Sequence, residues 1–234
     1  MSHLKEGAQK GSKLDMVRWY NFTTFDVMGD LTFGEPLHML DNAEYDPWVQ
    51  AIFGGIKRGI QLGLIYFYYP MVARLVRAAL HKTIAKKSIT HFNHSVTRVT
   101  KRLEKGRDSK GTDIWDLVLQ QEEKGKPSLT RDEMDSNAAA FMVAGTETTA
   151  TTLSGLTYLL TQHPESMKKL ASEVRGAFDS SDAITMDKIA HLPYLNACLK
   201  ESLRRYPPVP VGLPHLTPQD GSTICGHFVP PGVS

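Results

Sequence analysis

The stretch that decides how this chain reads is Ala144-Gly145-Thr146-Glu147-Thr148-Thr149. It lies in the middle of the longest helix the sequence predicts. Thr130-Arg131-Asp132-Glu133 has capping-box form, a hydroxyl for orphan backbone N–H groups and a carboxylate three residues on. Pro164 cannot continue a helix, so the predicted helix covers 130–163. Between Asp135 and Glu165 the only fully charged side chain is Glu147, and a helix nearly uncharged all round belongs inside a protein. Its centre nevertheless holds Thr146, Thr148, Thr149, Thr151 and Thr152. These are stiff, mediocre helix formers, and their hydroxyls compete for carbonyls one turn back. Two readings stand at this point. The stretch is a site, or it is a packing notch where small residues admit another helix and Glu147 pairs with an arginine.

Working outward, Pro164 opens a helix to about Phe178, and Leu192-Pro193-Tyr194 begins another that carries Glu201 and Arg204 and dies at Tyr206-Pro207-Pro208. Residues 209–234 change character, with prolines, glycines and short β-branched runs that predict small strands and turns. Upstream, 113–123 reads as a short amphipathic helix. A helical pattern resumes at Pro70 and ends at Gly106, with a basic face over 82–105 that reads as solvated. His91 and His94 sit three apart on it, without a third ligand that would make a metal site. Asp46-Pro47 opens a helix expected to run to about Lys57. Residues 59–69 form a greasy aromatic segment placed between the two helices: buried core, a cavity lining, or a surface that dips into lipid. Residues 19–33 predict a helix with Phe22, Phe25, Val27, Met28 and Leu31 on one face, closed by Gly34 and Pro36. The chain is therefore mainly α, with minor β at its C-terminal end.

Composition bounds the rest. The 234 residues are 41% hydrophobic and 22% charged, with net charge +2. That balance suits a soluble globular core and gives no electrostatic case for nucleic acid. Cys198 and Cys225 make no disulfide framework and no metal-ligand spacing, which points to a reducing compartment. Residues 1–13 carry no signal-peptide pattern. The longest charge-free apolar run, 59–73, falls short of the ~20 residues of a spanning helix and is interrupted by Pro70. No transmembrane segment is predicted, although a segment that touches a membrane surface is compatible with this run.

Glu201 and Arg204 share a helix face. A Glu-x-x-Arg alone says little, but here it stands in Leu199-Lys200-Glu201-Ser202-Leu203-Arg204-Arg205-Tyr206-Pro207-Pro208-Val209-Pro210. The Ala-Gly-Thr-Glu-Thr-Thr helix followed by this element resembles a cytochrome P450, a haem-thiolate monooxygenase, and the resemblance covers essentially the whole chain. The early WYNFTTFDVMGDLTFGEPL resembles the fungal microsomal branch. The resemblance implies the central part of the cytochrome P450 fold, with 130–163 crossing the distal side of a haem. Ala144 and Gly145 would leave room at the haem, and Glu147 and Thr148 would be the acid–alcohol pair that manages water and delivers protons. Glu201 and Arg204 would be a buried structural pair. Val209, Val211 and Leu213 would line the substrate pocket, and 59–69 would belong to the family's mobile roof. The implied cofactor is haem, with NADPH acting through a reductase. The implied partners are an apolar small-molecule substrate, cytochrome P450 reductase and a membrane surface near 59–69, with no nucleic acid. The implied location of the full-length parent is the cytosolic face of the endoplasmic reticulum membrane.

Two departures from the family pattern matter. An arginine that contacts a haem propionate often follows the proline here, whereas Pro214 is followed by His215; an imidazole takes that place only as a donor to the carboxylate. The family's axial cysteine lies in a loop of the form F-x-x-G-x-R-x-C-x-G, far beyond the Glu-x-x-Arg helix. Around Cys225, Gly221 fits this form but Pro218 and His227 do not, and Cys198 lies inside a helix. Neither is expected to ligate iron. Residues 1–234 thus read as a partial cytochrome P450 domain truncated at both ends, without thiolate ligand or N-terminal anchor and inactive alone. The competing readings are a non-catalytic truncated fragment and a helical lipid-binding or scaffold protein.

Overall fold

The computed structural model describes residues 2–107, 113–210 and 215–233. Val211 and Leu213 lie outside the described residues. In chain order the helices are α1 (Ser2–Gln9), α2 (Met16–Phe33), α3 (Met39–Asn42), α4 (Pro47–Tyr68), α5 (Pro70–Glu104), α6 (Ile114–Glu123), α7 (Arg131–Gln162), α8 (Pro164–Ala177), α9 (Met186–Ala190) and α10 (Pro193–Arg205). Two short antiparallel strands follow, β1 (Ser222–Ile224) and β2 (His227–Val229), with Thr223 opposite Phe228. The mainly α architecture with late, minor β is the one the sequence predicts.

The boundaries follow local chemistry. Thr130 and Glu133 form the reciprocal capping box at the start of α7, with Glu133 Oε2 accepting from the Thr130 N–H at 2.8 Å. Asp15, Asp46 and Asp113 cap α2, α4 and α6 by accepting from backbone N–H groups of the first turn. Gly34 ends α2 in the left-handed region at φ 67°. A Cβ there would meet Asp113 Oδ2 at 2.9 Å and Arg102 Cδ at 3.0 Å, so glycine serves both conformation and space.

The main core joins α2, the first turns of α4, the C-terminal half of α5, α6 and the first half of α7. Phe22, Phe25, Phe33, Val49, Val99, Trp115, Ala138 and Met142 are buried there. Each large side chain so buried contributes about 1.5–3 kcal/mol. The α2 face is narrower than its spacing suggests. Phe22, Phe25 and Phe33 point in, but Val27 and Leu31 are 51% and 40% exposed, because α7 covers only one side of α2. Trp115 sends its indole N–H to the Thr32 carbonyl, tying α6 to the end of α2. The buried Arg102 guanidinium bonds both oxygens of Asp113 and also donates to the Gly106 carbonyl at 2.7 Å, which fastens the end of α5 to the start of α6.

Two expectations are corrected. The longest helix among the described residues is α5, of 35 residues, and not α7, of 32. The aromatic segment 59–69 is not a connection between helices: residues 59–68 are the last turns of α4, and Tyr69 is its C-cap. Gly54, Gly55, Gly59 and Gly63 weaken the helical pattern in sequence, yet the helix continues to the break that Pro70 imposes. The residue before a proline is pushed out of helical conformation, and Tyr69 sits at φ −136°, ψ 65°. Helices α4 and α5 thus form a hairpin with a single-residue corner. Its tip carries Ile60, Leu64, Tyr66, Phe67, Tyr68, Tyr69, Met71 and Leu75, all exposed. Of the three alternatives for this segment, buried core is ruled out. Among the described residues no helix is long and apolar enough to cross a membrane.

Candidate active-site wall

Helix α7 has two unlike faces. Met134, Ala138, Met142, Thr146 and Ala150 recur every fourth residue and are buried against the core. Ser136, Ala140 and Ala144, which also recur every fourth residue, are exposed, and Thr148 continues their row with partial exposure. The helix therefore presents a shallow, small-residue face ending in a hydroxyl.

The threonines satisfy themselves on the helix. Thr146 donates to the Met142 carbonyl at 2.6 Å, Thr148 to Ala144 at 2.6 Å and Thr152 to Thr148 at 2.9 Å. This back-bonding lets a hydroxyl sit in a buried helix without an unmet donor. It also parks the Thr148 proton on Ala144 and leaves the oxygen's remaining lone pairs pointing off the helix. Glu147 is partly buried, its Oε2 is sequestered without a hydrogen-bond partner, and burial pushes its carboxyl above the ordinary carboxylate range. The arginine partner imagined for it is not there among the described residues. A carboxyl in that condition holds its proton to higher pH than a solvated one.

The packing-notch reading is also realised, at the glycines. A Cβ on Gly145 would meet Met28 Sδ at 2.8 Å, so Gly145 admits α2; a Cβ on Gly155 would meet Tyr206 Cδ1 at 2.6 Å, so Gly155 admits the residue that ends α10. Sequence reasoning missed both partners. The available signal was a glycine in a helix interior, which costs roughly 1 kcal/mol against alanine and therefore asks for a packing reason.

Helix α10 lies against the C-terminal half of α7, with Ser202 Oγ 3.5 Å from the Thr152 carbonyl. Glu201 and Arg204 pair bidentately at 2.6 and 2.7 Å. The pair is exposed, however, not buried as expected: its side chains are 52% and 69% accessible. No described segment covers that face of α10. The Arg204 hydrogen bond, with the charges of Arg204 and Arg205, holds the Glu201 carboxyl below its ordinary range. Val209 is exposed at 48%, and His215 is exposed with no hydrogen bond or ion pair among the described residues, so the structure does not bring either to Thr148. A cleft of about 250 Å³ between α7, α8 and α10, lined by Leu156, Leu160, His163, Tyr194, Cys198 and Glu201, is separate from the Thr148 face. Cys198 borders it, and burial and then Glu173 push its thiol up. Cys225 is exposed in the β1–β2 turn at φ 51°.

The family model for cytochrome P450 matches residues 1–234. The chain belongs to the cytochrome P450 family. Among curated relatives, this cytochrome P450 chain is 46% identical to the cytochrome P450 monooxygenase efuB of Hormonema carpetanum over 100% of its length and 46% of that protein. It is 49% identical to the cytochrome P450 monooxygenase FUM2 of Gibberella moniliformis over 94% of its length and 46% of that protein. It is 37% identical to the averantin hydroxylase of Aspergillus parasiticus, again over 100% of the chain and 46% of the relative. The chain spans about half the length of the curated relatives it matches. In three dimensions it resembles the heme domain of cytochrome P450DA with a TM-score of 0.69 at 20% identity, covering 95% of this chain and 46% of that one. The mainly helical fold is thus that of P450 heme domains.

Proposed function

We propose that this chain forms the oxygen-side wall of the haem pocket in a monooxygenase that inserts one atom of O2 into an apolar small molecule, with electrons from NADPH through a reductase. One observation carries the reading: a desolvated, unpaired acid at Glu147 stands next to a threonine whose hydroxyl is held on an open face of small residues. The residues fit a planar group laid against that face, since Ala140 and Ala144 leave room and Thr148 supplies the polar contact. Haem held there would supply the metal centre for dioxygen chemistry.

The chain's own residues have three tasks. Ala144 and its neighbours let the group approach the helix backbone. Thr148 keeps its oxygen in place through the bond to Ala144; it accepts a hydrogen bond from water as it stands and donates one when its proton leaves that carbonyl. Glu147, whose carboxyl burial holds above the ordinary carboxylate range, resupplies the proton as a general acid. Val209 and, outside the described residues, Val211 and Leu213 are proposed to line the substrate pocket, with His215 as donor to a propionate. Glu201 and Arg204 are proposed to become covered by haem-side segments of the complete protein. Neither cysteine suits the axial position: Cys198 is kept as a thiol in its cleft, and Cys225 sits in a tight exposed turn. The 234-residue chain is therefore proposed to be inactive alone.

The substrate class is an apolar product of fungal secondary metabolism; one relative's name specifies averantin for that relative. The exposed aromatic tip of the α4–α5 hairpin is proposed to rest on the cytosolic face of the endoplasmic reticulum membrane. A reduced-plus-CO difference spectrum tests the core of the reading. The complete protein should give a thiolate-type Soret band and the 234-residue chain none. Absence of the band in the complete, haem-loaded protein overturns the monooxygenase assignment, and its presence in the short chain overturns the claim about the cysteines.

A further inference from the structure

Helix α4 is anchored in the core only through its first turns: of its residues only Trp48, Val49 and Ile52 are buried. Trp48 is enclosed by two histidines of α5. Its indole Nε1–H donates to His91 Nδ1 at 2.9 Å, and its ring stacks on His94 at 4.4 Å between centroids and 16° between planes. On its other side His91 makes a hydrogen bond to the Ala139 backbone of α7. One imidazole thus joins three helices. An imidazole nitrogen accepts an indole N–H only when it carries no proton, so His91 must be the neutral Nε2–H tautomer, with Nε2–H donating to the Ala139 carbonyl.

We propose that the Trp48–His91 contact is an acid-released latch that holds α4, and with it the aromatic tip of the hairpin, against α5 and α7. A proton on Nδ1 sets two N–H donors against each other and breaks the tie to Trp48, while the Nε2–H bond to Ala139 survives. Acid therefore frees α4 and leaves α5 on α7. The surroundings favour the neutral ring. On α5, His94 has a buried Nδ1 without a partner, and the Arg98 guanidinium lies 5.7 Å from the Trp48 ring centroid. At the N-cap of α4, Asp46 is the acid acting on His94 among the described residues, and it is engaged in capping the Trp48 N–H at 2.7 Å. From the α2–α3 connection, Glu35 is committed to Arg98 and Lys101. From α7 the ring meets the Ala139 carbonyl, and Asp135 is bonded by Arg131. Burial holds both His91 and His94 below the ordinary histidine range.

The latch rests on the fold alone and is tested on the full chain without haem. Nitrogen-15 NMR of the histidines should show His91 Nδ1 unprotonated at pH 8, titrating below the usual histidine range. Trp48 indole N–H exchange, corrected for its intrinsic pH dependence, should accelerate roughly three- to tenfold through that titration, the size expected for one lost hydrogen bond. His91→Gln, which keeps an acceptor but no titrating proton, should show no such acceleration. In Trp48→Phe the His91 titration should move up towards the ordinary range. A protonated Nδ1 at pH 8, or a Trp48 signal indifferent to the His91 titration, overturns the proposal. If His91→Gln does not fold, the tautomer and exchange measurements on the unaltered chain still decide.

Discussion

Glu147 and Thr148, neighbours on one turn of helix, sit in unlike surroundings. Glu147 is desolvated, so in the folded chain its carboxyl titrates above the ordinary carboxylate range. Such a group leaves stability intact below its unfolded pKa and costs stability as pH rises through the folded value. Glu147→Gln should therefore be more stable than the unaltered chain at pH 7.5 and indistinguishable from it at pH 4; urea unfolding at the two pH values measures this. The proposed role of Thr148 rests on its hydroxyl, which is held on the Ala144 carbonyl at 2.6 Å. In the complete protein, Thr148→Ala should keep oxygen consumption but separate it from product, lowering the coupling ratio by roughly tenfold or more, as loss of a positioned proton donor does. Parallel measurement of oxygen uptake and product decides, and intact coupling would remove Thr148 from the mechanism.

At the scale of elements, α5 and α6 are joined by an ion pair buried on both sides. Arg102 and Asp113 are 3% and 8% exposed at their side chains. Removing one partner of a buried pair leaves an uncompensated charge and costs about 3–5 kcal/mol, so Arg102→Leu should lose stability on that scale in denaturant unfolding. Adding Asp113→Asn should recover much of the loss, because it removes the stranded charge and keeps a side chain that caps α6. The Glu201–Arg204 pair has the same chemistry in the opposite environment. Exposed on α10, it is screened by water, and its energetic importance depends on what covers it.

For the whole molecule, the α4–α5 hairpin divides the surface. Its base is latched into the core by Trp48, while its tip holds a contiguous exposed group that includes Phe67 at 78% and Tyr68 at 67% accessibility. Apolar patches of this kind mark membrane or partner contacts. The chain should float with phosphatidylcholine–phosphatidylserine vesicles. Phe67→Ser combined with Tyr69→Ser should reduce the bound fraction several-fold without changing the melting temperature, since neither side chain is buried. Flotation that survives the double substitution would place the membrane contact elsewhere.

The sequence by itself determined the main helices, most of their ends, the mainly α class and the family, because caps, prolines, periodicity and short motifs act within a turn or two of the residues that carry them; the short α3 and α9 do not read as helices in the sequence. It marked Glu147 as exceptional, since one fully charged side chain among the 29 residues between Asp135 and Glu165 is a local fact. It did not reveal that α4 runs on to Tyr68, because glycines that weaken a helix do not end one when no proline or cap intervenes. Only the tertiary structure decided that Met28 fills the space at Gly145, that Trp48 is the partner of His91, and that Glu201 and Arg204 lie open to solvent. Each of these depends on which distant helix packs on which face, and the free energy of that choice comes from burying surfaces far apart in the chain, a quantity no local pattern of residues carries.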